Sequence, residues 1–189
     1  MIYCIMGKSS SGKDTLYGLL KNKLGKYKTI VPYTTRPQRT NETDGVDYNF
    51  VTNEEFKSMQ KQNKVIEFRT YETVYGPWTY FTANENIDID DNYLYVTTLV
   101  GYKALVNYFG QDKIVPIYIE VDNGTRLQRA LDREKKQENP KYTEMCRRFI
   151  ADEEDFSEEN LAKLNITNRF TNDSLMDCLA QLIRFIAKI

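Results

Sequence analysis

The sequence predicts an α/β fold of three layers, with helices on both faces of a mainly parallel sheet. Two observations carry that expectation. Short apolar stretches alternate with helix-period segments along most of the chain, and a single block of different texture, residues 34–84, interrupts them. Strands joined through helices run parallel, because the crossover returns the chain to the same end of the sheet. The interruption reads as a β-rich insertion on an otherwise regular core.

The first strand is expected over 2–6, Ile2-Tyr3-Cys4-Ile5-Met6, and the next helix over 13–24, with Leu16, Leu19 and Leu20 on one face. Further strands are expected at 28–33, 93–99, 114–121 and 166–171, and further helices at 101–109, 123–138, 143–163 and 174–188. Gly25 and Gly110 stand just past two of these helices, where a left-handed terminating residue is wanted. Inside the insertion, Thr52 and Glu55 form a capping box that opens a short helix with Phe56 and Met59 inward. A β-rich stretch follows, Val65-Ile66-Glu67-Phe68 and then Tyr71 to Thr82, with a turn at Gly76-Pro77. The charged run 132–142, interrupted by Pro140, reads as a mobile lid. Asp152, Glu153, Glu154, Asp155, Glu158 and Glu159 read as a solvated helix face rather than a cation site. The last helix carries Leu175, Leu179, Leu182, Ile183 and Ile186 as a core-docking stripe.

At 189 residues the chain is long enough for one domain with a substantial core. Its 26 Lys and Arg against 27 Asp and Glu leave a formal net charge of -1. That balance argues against a general nucleic-acid or membrane binder, which needs an excess of positive charge. The basic residues must then act locally, in a pocket. No apolar run approaches a membrane span and the amino terminus lacks a signal peptide's apolar segment, so a soluble, cytoplasmic chain is expected. With no histidine and three scattered cysteines (Cys4, Cys146 and Cys178), no zinc site is expected, and the cysteines read as reduced and without catalytic work. Any chemistry must do without the commonest general acid or base.

Two elements suit phosphate. The first is Gly7-Lys8-Ser9-Ser10-Ser11-Gly12-Lys13-Asp14-Thr15, between an apolar strand and a helix, which is the context a P-loop requires. Small residues let successive N–H groups turn inward around phosphate oxygens, the helix adds its positive end, and Lys13 adds a full charge. Only the last motif position departs: Asp14 stands where Ser or Thr is usual, with Thr15 next. The second element is Thr34-Thr35-Arg36-Pro37-Gln38-Arg39, followed by Glu42, Gly45, Tyr48, Phe50 and Val51. Arginine's planar fork matches phosphate oxygens two at a time, so Arg36 and Arg39 flanked by hydroxyls form a compact receptor.

At every defined position, Thr34, Thr35, Arg36, Arg39, Glu42, Gly45, Tyr48, Phe50 and Val51 match the signature of the guanylate kinases, and the chain resembles that family from the glycine loop to Asn172-Asp173. The resemblance implies a P-loop NTPase core of residues 1–33, 85–122 and 152–189, a nucleoside-monophosphate-binding region over 34–84 and a helical lid region over 123–151, all in one domain, 1–189. It also implies transfer of the γ-phosphate of ATP, with Mg2+, to GMP or dGMP. The expected partners are small-molecule nucleotides, with the chain a monomer or homodimer.

Carried over by position, Gly7, Ser9, Ser10, Ser11, Gly12, Lys13, Asp14 and Thr15 are expected to hold ATP, and Asp14 the metal. Arg36, Arg39, Tyr48 and Tyr75 are expected to hold the acceptor's 5′-phosphate, and Glu67 takes the place of the guanine-reading carboxylate. Arg129, Arg133 and Arg148 resemble lid arginines that clamp ATP phosphates, and Asn172 corresponds to a residue near the adenine. Lys13, Arg36, Arg133 and Arg148 are the catalytic candidates.

The departures concern the base. Pro32 and Pro77 stand where the family reads guanine with hydroxyls, and Thr98 stands for a strand-end aspartate. Trp78, Thr79 and Thr98 are near enough to compensate. The phosphate grip therefore looks intact while base recognition is altered. That keeps two other readings open: a kinase of the same scaffold with another phosphorylated acceptor, and a non-catalytic interaction module.

Overall fold

The computed structural model describes residues 1–73, 76–85 and 87–188. Strand β1 (Ile2–Met6) is buried at every position, and its alternate side chains feed opposite layers. Ile2, Cys4 and Met6 pack with Leu99, Tyr102 and Leu105 of α3 (Leu99–Phe109). Tyr3 and Ile5 pack with Leu16 and Leu20 of α1 (Lys13–Lys23) and with Cys178, Leu179 and Leu182 of α7 (Leu175–Ile186). Flanking β1 are β7 (Tyr93–Val96) and β8 (Ile114–Glu120), with β2 (Lys28–Thr29) and β9 (Arg169–Thr171) at the edges, every pair parallel. Strands covered on both faces need near-continuous apolar runs, as β1 and β8 have.

The insertion forms a second sheet in the order β4 (Asn49–Phe50), β3 (Tyr33–Thr34), β6 (Gly76–Ala83), β5 (Val65–Thr73). Helix α2 (Asn53–Lys61) opens on the expected capping box and buries Phe56 and Met59 against Tyr33, Phe81 and Ala83. Helices α4 (Asn123–Lys135), α5 (Tyr142–Asp155) and α6 (Glu158–Lys163) complete the described chain. Among the described residues no helix is long and apolar enough to cross a membrane.

Several boundaries differ from expectation for local reasons. The strand expected over 28–33 is two strands in two sheets, and Pro32, with no N–H to give a ladder, stands at the crossing. Thr98 ends the expected strand 93–99 early by capping α3, its hydroxyl accepting the Gly101 N–H. The helix expected over 143–163 breaks where Phe156 turns inward onto the Tyr118 ring, 5.7 Å between centroids, and Ser157 caps α6. Gly110 has the left-handed φ expected of it, at 90°, but Gly25 does not: Leu24 closes α1 through Leu20. Gly76 and Pro77 open β6 opposite Thr73 and Glu72 instead of forming a turn. Leu175 is exposed, and Cys178 joins the buried stripe.

Part of the acidic cluster is not a solvated face, which corrects the sequence reading. Asp152 accepts the Ser9 N–H at 2.7 Å, and Glu153 pairs with Lys8 at 2.8 Å and with Arg126 at 2.6 Å. Arg126 is 1% exposed, donates to the Ser9 carbonyl and lies 4.5 Å from the Phe149 ring centroid. A buried guanidinium needs such partners, and here they tie the glycine loop to α4 and α5. Burial pushes the Glu153 carboxyl up, but hydrogen bonds from Lys8, Arg126 and Asn123 outweigh it and hold it at about 2. Glu154, Asp155, Glu158 and Glu159 are exposed, as expected.

Two outcomes are expected. Leu20→Ala removes a fully buried side chain and should destabilise the fold by about 2–5 kcal/mol, measured by urea unfolding. The stabilisation that Glu153 contributes is complete above its ordinary value of 4.5 and is lost as pH falls toward about 2. Thermal melts from about pH 7 to pH 3 should therefore show the wild-type advantage over Glu153→Gln shrinking on the acid side. A pH-independent gap would deny the ion pairs their role.

Candidate active site

The glycine loop is shaped from behind. A Cβ on Gly7 would lie 2.5 Å from the Ile119 carbonyl oxygen, and one on Gly12, whose φ is 85°, would lie 2.3 Å from Asn172 Nδ2. No side chain fits at either place. Asn172, 2% exposed, donates through Nδ2 to the Ser11 carbonyl at 2.7 Å and through its N–H to Glu120. In this structure it props the loop. The Ser10 and Ser11 hydroxyls are buried and unpartnered among the described residues. Lys13 Nζ lies 3.6 Å from Asp14, whose side chain is 80% exposed, and Thr15 is exposed beside it.

The arginine loop divides its labour unevenly. Arg36 is 3% exposed and forks onto Glu42 with two contacts of 2.8 Å. It also donates to the Pro37 carbonyl and, through Nε, to the Tyr80 hydroxyl. Its guanidinium lies 5.3 Å from the Tyr48 ring centroid and 5.5 Å from that of Phe50. Arg36 thus retains one N–H for a ligand while organising the loop. Glu42 also accepts the Arg39 N–H; the Arg36 fork, then that amide, hold its carboxyl at about 2. Arg39 itself is exposed, its side chain turned to solvent.

Lys13, Tyr48 and Glu67 line one cleft of about 470 Å³, with Pro32, Trp78 and Tyr80. A neighbouring cleft of about 590 Å³ is bordered by Gly7, Ser9, Lys13, Lys103 and Asp152. Lys13, Arg69, Tyr71, Thr97 and Thr98 border both. Glu67, 9% exposed, stands opposite Thr82 in the β5–β6 ladder, and Oε1 accepts from that hydroxyl at 2.9 Å. Thr82 is 2.8 Å from the Tyr95 hydroxyl, whose pKa burial raises, so Tyr95 stays a donor. Of the nearby candidates, Trp78 and Thr98 reach the cleft, whereas Thr79 is buried against Thr70 and Thr35.

The lid arginines stand apart from the clefts. Arg129 donates to the Asn172 carbonyl, Arg133 is exposed on α4, and Arg148 is exposed on α5, where it shares Glu144 with Arg147. Tyr75 lies outside the described residues. The three cysteines are free, with Cys4 and Cys178 buried and Cys146 exposed.

Sequence reading passed over Arg69, Tyr80 and Arg126, and took Asp152 and Glu153 for a solvated face. A signal for Arg69 was present: residues two apart on a strand share a face, and Glu67 was already singled out. Tyr80 faces Arg69 only through the hairpin register, which includes an irregularity between Val65 and Glu67. The Asp152 and Glu153 contacts cross more than 140 positions to the glycine loop, and no local pattern announces them.

As for a metal, among the described residues no group of three or more carboxylates or cysteines is placed to hold one. The exposed Asp14 carboxylate suits a hard cation bound chiefly by phosphates and water.

The geometry can be set beside known proteins. The family model described as guanylate kinase matches residues 1–188. A guanylate kinase of Helicobacter hepaticus is 28% identical over 130 residues, 69% of this chain and 64% of that protein. One from Chlorobaculum tepidum is 31% identical over 126 residues, 65% of this chain and 63% of its own length. The matched stretch thus spans less than two thirds of each relative. The crystal structure of guanylate kinase from Anaplasma phagocytophilum superposes with a TM-score of 0.62 at 20% identity, covering 100% of this chain and 85% of that one, a likeness of fold. On the family match over nearly its whole length, the chain belongs to the guanylate kinase family.

Proposed function

We propose that this chain is an ATP-dependent nucleoside monophosphate kinase that phosphorylates GMP or dGMP. The observation carrying the proposal is that Lys13 borders two adjoining clefts, one rimmed by the glycine loop and the other by Tyr48 and Glu67. In-line phosphoryl transfer needs two phosphate groups end to end with the charge between them neutralised. The loop amides and Lys13 hold the donor's phosphates. Arg39, Tyr48 and the remaining N–H of Arg36 hold the acceptor's, and Glu67 accepts hydrogen bonds from guanine N1–H and the exocyclic amine.

Asp14 is the residue that would hold Mg2+, directly or through water, and the ion would supply neutralisation of the donor's phosphate charge. The acceptor phosphate is ionised at neutral pH, so no general base is required and the lack of histidine is no handicap. Arg129, Arg133 and Arg148 reach the donor only if α4 and α5 swing inward, a closure that excludes water.

Lys13→Ala should lower kcat about 100- to 1000-fold in a coupled ADP-release assay. Full activity in that variant would end the proposal, and a nucleotide panel in which GMP and dGMP are inert would end the choice of acceptor. The two loop arginines should separate. Arg39→Ala should raise the KM for GMP at least tenfold with an unchanged melting temperature. Arg36→Ala should lower kcat/KM and melting temperature together, because it strips Glu42 of its fork. Equal melting temperatures in the two variants would contradict the assignment of Arg36 to loop organisation.

A further inference from the structure

Glu67 does not stand alone in its cleft. Arg69, two residues along β5, is on the same face and borders both clefts, with its Nε 3.5 Å from Glu67 Oε2. At that separation the two groups form an ion pair without a hydrogen bond, and both atoms are buried with no hydrogen-bond partner. Arg69 Nη1 lies 3.5 Å from the Thr98 hydroxyl, a contact at the limit of hydrogen bonding. Its side chain is 35% exposed toward the cleft, while that of Glu67 is 6% exposed. The result is a strip that offers acceptors and then donors, walled by Pro32, Tyr95, Val96 and Phe81. Neither Pro32 nor Pro77 contributes a side-chain donor.

A flat ligand edge with two donors followed by two acceptors matches this strip. Guanine has that order: exocyclic amine, N1–H, O6, N7. Arginine's fork pairs with O6 and N7 together, while a carboxylate takes the two donors. Resting on the proposed kinase reading, we infer that Arg69 is a specificity-determining residue, reading the O6/N7 edge of the acceptor's guanine beside Glu67. The ion pair holds both groups in place, and the part of the Arg69 side chain exposed in the cleft is what meets the incoming base.

The test is steady-state kinetics with MgATP on wild type, Arg69→Met and Arg69→Lys, using GMP and 7-deaza-GMP, in which N7 is replaced by C–H. Wild type should prefer GMP about tenfold, the loss of one charge-assisted hydrogen bond. Both variants should lose that preference, with kcat/KM for GMP reduced about tenfold to hundredfold and the KM for ATP within about twofold of wild type. Lysine keeps the charge beside Glu67 without the fork. If Arg69 serves only to neutralise Glu67, Arg69→Lys will therefore behave as wild type, and the inference fails. It fails too if wild type is indifferent to N7. Should Arg69→Met not fold, Arg69→Lys decides alone. A wild-type protein inert toward every guanine nucleotide overturns the kinase reading and this inference together; one that turns over GMP while ignoring N7 overturns this inference only.

Discussion

The glycine loop holds its shape because three distant segments grip it from outside. Asn172, at the end of β9, takes the Ser11 carbonyl; Asp152 on α5 takes the Ser9 N–H; Arg126 on α4 takes the Ser9 carbonyl. Gly7 and Gly12 let Ile119 and Asn172 approach where no side chain fits. The Ser11 N–H is also spent inside the loop, on the Lys8 carbonyl at 3.2 Å, so the loop's shape is fixed by its own backbone as well as by these outside grips. A loop whose shape is already fixed need not be ordered when the anion arrives, so more of the interaction is realised as binding or as stabilisation of developing charge. The parallel sheet serves the same end: β1 and β8 lie side by side in register, which sets Met6 and Tyr118 level and carries Ile119 to the back of the loop.

The same economy governs the buried guanidinium groups. Arg36 and Arg126 are both almost wholly buried, and each is neutralised by a carboxylate that also takes a second cation or amide: Glu42 with the Arg39 N–H, Glu153 with Lys8. Both carboxyls are held well below their ordinary range. These pairs fix loops, whereas Arg39 and Arg133 are exposed and Arg148, also exposed, shares Glu144 with Arg147. Burial therefore goes with a structural task in Arg36 and Arg126, whatever else the remaining N–H of Arg36 does.

Much of this was legible in the residues. The layer order followed from β1, whose unbroken apolar run can only be a strand covered twice, and the capping box at Thr52 placed α2 to within a residue. The two candidate phosphate elements could be picked out because small residues, glycines and fork-bearing side chains act locally, within a few positions of each other. What stayed hidden depends on register or on long separations. The split of 28–33 needed the knowledge that Pro32 sits between two sheets, and the acidic cluster looked solvated because Lys8, Ser9 and Arg126, its partners, lie elsewhere in the chain. Charge pattern along a helix says which residues can reach water; it does not say what else reaches them.

That limit bears directly on the base pocket. Pro32 and Pro77 looked like pure losses in sequence, yet the cleft that Pro32 borders also holds the guanidinium of Arg69. Pairing with the core sheet stops at Thr29, and past Pro32 the chain pairs again, Tyr33 and Thr34 with β6. The residues that remove hydroxyls thus belong to the backbone arrangement that lines up β5 and β6, and Glu67 faces Thr82 because of that alignment. The Glu67 carboxylate is held by the Thr82 hydroxyl on one oxygen and by the charge of Arg69 on the other. Among the described residues, buried polar atoms without hydrogen-bond partners occur at Ser10, Ser11, Thr97, Arg126 and Asn172 as well as at Glu67 and Arg69. Those of Glu67, Arg69 and Thr97 belong to side chains lining the cleft that Lys13 also borders. The polarity of that cleft therefore comes from an acidic and a basic group side by side, and not from the two positions where proline replaces a hydroxyl.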